Sequence, residues 1–187
     1  FHVLGVFGSP YFPPEYWFPT AYQSQNACYF NSVNIALEAK FGTKLSLKKV
    51  LQMIGFDGKG LATWEYKKKF SDLTHIVIQE YSTKKDLIRL LDVGEPVLIS
   101  TEIVLKSKKT VRHVSVAYSY DIEWIWVSDP LYGKKKRVPW NHVFRENGKV
   151  LYYNLRTISV KPYLRWNNES KAREKKEDIW ENENSIR

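Results

Sequence analysis

With a single cysteine, Cys28, in 187 residues, this chain cannot close an internal disulfide, so its fold must stand on packing alone. That usage suits a reducing, cytoplasmic setting, while a first residue that is not Met also fits a processed or secreted product. One thiol cannot build a thiolate metal cluster, and His2, His75, His113 and His142 are far apart in sequence. No metal and no other cofactor is expected. No run reaches the roughly 18 apolar residues that span a bilayer, so no membrane span is expected. Nine glycines and eight prolines are too few for a low-complexity chain. There is no internal repeat and no phosphate loop, because Gly55-Phe56-Asp57-Gly58-Lys59-Gly60 lacks the strand before and the helix after that such a loop requires.

What is present is aromatic and basic. The length fits one domain, and the hydrophobic share of 43% against 26% charged is that of an ordinary globular protein. The net charge of +9 comes with lysine runs at Lys67-Lys69, Lys106-Lys109 and Lys134-Arg137, each beside an expected turn or helix face. Solvated loops account for such runs, and no nucleic-acid partner is expected. A basic nucleic-acid-binding protein with stacking Trp and Tyr residues is the rival reading, marked by steep salt dependence of binding.

Patterning divides the chain in two. Residues 1–22, with Pro13, Pro14, Pro19, Tyr16, Trp17 and Phe18, read as an extended aromatic arm. Phe30, Val33, Leu37 and Phe41 then recur at helical spacing, with Asn26 as N-cap and Gly42 as stop. Ser46 caps a second helix to Gly55, a short third runs over 63–70, a strand over 74–79, and Ser82 caps a helix ending near Gly94. Strands are expected over 96–104, 111–119, 124–128 and 149–160, joined by breaks short enough for hairpins. Helices first and an antiparallel sheet afterwards is the α+β order. Residues 1–166 are one domain on this reading, and 167–187 a charged tail, frayed or helical on the surface.

Cys28 stands where the polar Gln23-Ser24-Gln25-Asn26 lead turns into the first long helix. A thiol there feels unpaired backbone N–H groups and the positive helix end, both of which favour the thiolate. His113 opens a strand whose same-face neighbours, Ser115 and Ala117, are small enough to leave room for a substrate, while Val114, Val116 and Tyr118 face a core. The following strand ends at Asp129-Pro130, and an antiparallel return brings Asp129 near His113. A carboxylate on one imidazole nitrogen leaves the other to take the thiol proton. The thiolate attacks a carbonyl, and the oxyanion needs donors: the Cys28 backbone N–H and a glutamine amide. Gln23 and Gln25 both qualify, with Gln23 favoured because five residues can fold back over the thiol more easily than three. His142 beside Asn141 is the alternative base. Each residue also has an ordinary reading: Cys28 as a small buried hydrophobe, His113 as a strand histidine, Asp129 as a turn former, Gln23 and Gln25 as surface residues, Tyr16, Trp17 and Phe18 as core cover.

The residues Gln23-Ser24-Gln25-Asn26-Ala27-Cys28, Gly94-Glu95-Pro96-Val97, Arg112-His113-Val114, Val127-Ser128-Asp129-Pro130 and Trp140-Asn141-His142-Val143-Phe144 together resemble papain-like cysteine peptidases of the group that processes double-glycine leader peptides, with its stand-alone relatives. The resemblance covers most of Tyr22 to Phe144. It implies a papain-like fold, a peptide or protein substrate, Cys28 as nucleophile, His113 as general base, Asp129 as orienting residue and Gln23 as oxyanion donor. Gln25, Tyr29 and Trp17 are the candidate substrate contacts. Tyr29 stands where that group commonly has Gly or Trp, a ring that narrows the pocket or stacks on substrate. Two rival functions follow: a catalytically silent peptide binder, and an acyl transferase like the phytochelatin synthases, which Trp17-Phe18-Pro19-Thr20 before a glutamine resembles.

Overall fold

The computed structural model describes residues 27–161 and 179–181. The expected arm, Trp17, Gln23, Gln25, Asn26 and most of the charged tail lie outside them.

Helix α1, Cys28–Phe41, buries Phe30, Val33, Ile35 and Leu37 and stops at Gly42, whose φ of 71° a residue with a Cβ rarely adopts. Each such large side chain contributes about 1.5–3 kcal/mol by leaving water. Phe41, expected in the buried stripe, is exposed, because the last turn runs past the edge of the core. The N-cap is Ala27 and not Asn26, and its side chain caps nothing. Helices α2, Leu47–Ile54, and α3, Trp64–Thr74, follow. The latter outlasts its sequence pattern by four residues, because Phe70 and Thr74 both find buried places.

Strand β1, Ile76–Tyr81, leads into α4, Lys84–Asp92. The cap of α4 is Thr83 and not Ser82: its hydroxyl accepts from the Asp86 N–H (3.2 Å) and bonds the Asp86 carboxylate (2.9 Å). Then come β2, Val97–Val104, β3, Thr110–Tyr120, β4, Trp124–Asp129, β5, Lys134–Pro139, and, after a 3₁₀ turn at Trp140–His142, β6, Leu155–Val160. All pair antiparallel in one sheet of order β1-β6-β2-β3-β4-β5. The expected α+β architecture of helices on an antiparallel sheet is what forms.

Two strands also differ from expectation. The run Lys134-Arg137 is not a loop but β5, the sheet edge, where charged side chains discourage a further strand from adding. The last strand starts at Leu155 and not at Lys149, since Lys149 and Val150 make only single bridges, to Thr83 and Phe144.

The sheet is covered on both faces. Leu98, Val114, Val116, Tyr118 and Ile158 pack with α1, α2 and α3. Val97, Ile99, Ala117, Ile125 and Val127 pack with Leu87, Leu90 and Leu91 of α4. The small face of β3 therefore holds no open room for a substrate: Ser115 and Ala117 are buried, and their size lets α4 come close. The tail is corrected at one place as well. Ile179 is buried, the Ser46 N–H donates to its carbonyl (2.7 Å), and the Glu181 N–H donates to the Lys44 carbonyl (3.0 Å), so Leu45 and Trp180 pair as a short antiparallel bridge. Among the described residues, no helix is long and apolar enough to cross a membrane.

Candidate active site

Cys28 is the first residue of α1 and is partly exposed. The first N–H groups of any helix lack intrahelical partners, and a Ser, Asn or Asp at the cap would accept from one of them. Alanine at position 27 takes none. The Tyr29 N–H accordingly acts on the neighbouring thiol and favours its thiolate.

A shortened ladder docks this helix end. Pairing of β3 with β4 stops at Val116↔Ser128, which leaves the main chain of Val114 free on that side. Ser32, one turn along α1 from Cys28, donates its hydroxyl to the Val114 carbonyl (3.0 Å), and the Val114 N–H favours the thiolate of Cys28. Ser32 is the positioning residue that sequence reasoning missed. Its only signal was the four-residue spacing that puts it on the Cys28 face of the helix.

Extending the same register sets Ser115 opposite Asp129, with His113 diagonal to it on the same face, a separation that long side chains bridge. His113 Nε2 and Asp129 Oδ1 are 2.5 Å apart, and both residues are buried. Asp129 Oδ1 also accepts from the Leu131 N–H (2.9 Å), a turn that aims the carboxylate, while Lys136 Nζ stands 3.9 Å from Oδ2. With Nε2 engaged, the other ring nitrogen serves the hydrogen bond between His113 and Cys28.

The electrostatics follow from these contacts. Burial pushes the thiol up, but the hydrogen bond and charge of His113 and the N–H groups of Val114 and Tyr29 outweigh it and hold Cys28 below its ordinary value. Burial works against the His113 charge too, and the hydrogen bond to Asp129, then that to Cys28, outweigh it and lift the ring to about 9. Thiolate and imidazolium thus coexist between the lowered Cys28 value and about 9, the two titrating as a coupled pair. A thiolate beside a proton donor can attack a carbonyl and protonate what leaves.

Asp129→Asn tests this arrangement. Without the carboxylate charge the His113 value is expected to fall from about 9 toward 6.5, so the fraction of Cys28 held as thiolate at neutral pH drops. Nitrogen-15 titration of the His113 ring reads the shift directly, and an unmoved midpoint contradicts the assigned role of the carboxylate.

Of the other candidates, Tyr29 is placed differently from the expectation. Its ring is buried, edge-on to Phe30 with centroids 5.3 Å apart, in the core beneath α1, so it does not offer an open face to substrate. The second position of a helix points away from the first, and here it points inward. His142 sits on the 3₁₀ turn after β5, away from the thiol's hydrogen-bond partners.

The Peptidase_C39 like family model matches residues 11–160 of this chain. Two solved structures are similar in fold. The peptidase domain of Streptococcus ComA, a bi-functional ABC transporter involved in a quorum sensing pathway, has a TM-score of 0.54 at 13% identity and covers 77% of this chain and 99% of its own. A Bacillus anthracis protein described as a C39-like peptidase has a TM-score of 0.54 at 15% identity and covers 76% of this chain and 94% of its own. Among curated proteins none matches this sequence.

Proposed function

The chain belongs to the Peptidase_C39 like family and has its papain-like fold, and from that premise we propose that it is a cysteine peptidase that hydrolyses peptide bonds with Cys28 as nucleophile, His113 as acid and base, and Asp129 as the residue that orients His113. The observation that carries this is the His113–Asp129 hydrogen bond, with the same imidazole acting on a thiol whose titration it lowers.

The Cys28 sulfur adds to the scissile carbonyl carbon, and the carbonyl π electrons move to oxygen. The oxyanion is held by the Cys28 backbone N–H and by the Gln23 side-chain amide. Collapse expels the amine, which leaves with the His113 proton, and a thioester remains on Cys28. Neutral His113 then takes a proton from water, whose oxygen adds to the thioester, and the acid product departs as the thiolate and imidazolium re-form. Asp129 keeps the ring turned with one nitrogen to the sulfur throughout. Gln25 and Trp17, from the same lead-in, contact the substrate. Tyr29, which had favoured a silent peptide binder, is turned into the core, which weakens that alternative.

Alkylation of Cys28 by iodoacetamide between pH 5 and 9 is the test. The rate is expected to stay high well below the ~8.5 midpoint of a free thiol, and an electrophilic peptide probe is expected to form a covalent adduct at Cys28. A rate that tracks an ordinary thiol titration, with no adduct, would refute the nucleophile assignment.

A further inference from the structure

Near the thiol, three cations gather around three tyrosine rings. Lys67 of α3 and Arg156 of β6 lie 4.5 and 5.7 Å from the centre of the Tyr29 ring. Lys67, Arg112 and Arg156 lie 6.0, 5.6 and 5.8 Å from the centre of Tyr153, and Arg112 also covers Tyr152 at 4.4 Å. The cluster lies within electrostatic reach of the thiol, since the Cys28 charge acts on both Lys67 and Arg156. Tyr153 and Arg112 are exposed, Lys67 is half-buried and Arg156 is only 7% exposed, so the group has a rim and a floor.

None of the three cations forms an ion pair among the described residues, and one Nη of Arg156 is buried with no hydrogen-bond partner. Buried guanidinium groups without acceptors are costly, and ring faces offset only part of that cost. The carboxylate whose charge acts on Lys67 and Arg156 is Glu80, which is exposed and accepts from Asn154 (2.9 Å) instead. Glu102 stands opposite Arg112 in the ladder without pairing with it. Burial and the neighbouring Arg156 charge both depress the Lys67 ammonium. The Cys28 and Glu80 charges favour the cationic forms of Lys67 and Arg156 without an ion-pair contact to either, which leaves their donors available to an entering anion.

We propose that Lys67, Arg112 and Arg156 form a carboxylate-binding subsite next to Cys28, so that the substrate presents an anionic group, an acidic side chain or a free terminal carboxylate, close to the scissile bond. The proposal rests on the peptidase reading above and adds its substrate preference. Arg112 and Lys67 meet the carboxylate at the mouth. Arg156 supplies the unpaired donor at the floor, and Tyr153 walls the site.

Three thiol-directed probes separate the possibilities: iodoacetyl-glutamyl amide, iodoacetyl-glutamine with a free carboxylate, and the neutral iodoacetyl-glutaminyl amide. At low salt the better of the two anionic probes is expected to alkylate Cys28 about tenfold faster than the neutral one, the scale of one charge-assisted hydrogen bond. Which anionic probe leads identifies the source of the carboxylate. Lys67→Gln and Arg112→Gln are each expected to bring the ratio of anionic to neutral rates toward one. A ratio of one in the unmodified protein overturns the subsite. So does a preference that both substitutions leave in place, because His113 alone would then account for it. The absolute rate with the neutral probe reads the peptidase proposal separately, since a slow neutral probe argues against an activated thiol whatever the ratio.

Discussion

The Cys28→Ala protein is expected to lose peptide hydrolysis by at least about 10⁴-fold while keeping its fold, on the scale seen when a covalent nucleophile is removed. Among the described residues no other nucleophilic side chain acts on His113, so what remains is the modest help of a positioned carbonyl and its donors. The thiol is partly exposed and small, and alanine leaves the Ser32 contact to Val114 intact. The melting temperature should therefore move by no more than a few degrees, the scale of ~1 kcal/mol. Thermal circular dichroism beside a peptide-cleavage assay measures both, and hydrolysis surviving in the alanine protein would mean that the chemistry lies elsewhere.

His113→Ala is expected to cost about as much activity, roughly 10⁴-fold, and for a visible electrostatic reason. Burial alone raises the Cys28 thiol, and His113 supplies the leading contributions that oppose it. Without the ring, alkylation should shift to alkaline pH as the thiolate is lost near neutrality. The substitution also strips a buried carboxylate of its closest partner, leaving Asp129 with the Leu131 N–H and a Lys136 ammonium at 3.9 Å. A destabilisation of about 1–3 kcal/mol is expected from that loss. His113→Gln keeps a donor near Asp129 without an acid of suitable strength, so it should recover part of the stability and none of the hydrolysis. Equal recovery of both would assign His113 a structural role only. Combining Cys28→Ala with His113→Ala should add little further loss, as groups that act as a unit do not add.

The elements that carry Cys28, His113 and Asp129 were legible because each rests on local rules. Helical spacing located α1 and its glycine stop, and the short break after Tyr120 fixed an antiparallel return that brings Asp129 back along β3. Other features depend on which surfaces meet, and a single sequence does not record that. The lysines of β5 hide a strand because an edge needs no apolar alternation. Ser115 and Ala117 read as open space when both are buried, Ala117 against the leucines of α4. The buried ring of Tyr29 follows from α1 lying flat on the sheet, and Arg156 reaches that ring only because β6 crosses between β1 and β2. Lys67 looked like one lysine of a solvated run, yet the turn of α3 sets it against Tyr29.

The bridge between Leu45 and Trp180 has a consequence for the order in which the molecule is made. Long-range contacts of this kind are slow to close, and a chain emerging from its amino end folds before such partners exist. On the ribosome α1 and α2 precede the partners they need: the docking of α1 awaits Val114, the imidazole and its carboxylate arrive with residues 113 and 129, and the Ser46 N–H meets the Ile179 carbonyl only after residue 179 has been added. Until residues 113 to 129 have been added, Cys28 is thus an ordinary thiol on an undocked helix, and its reactive character waits on partners that lie far along the chain.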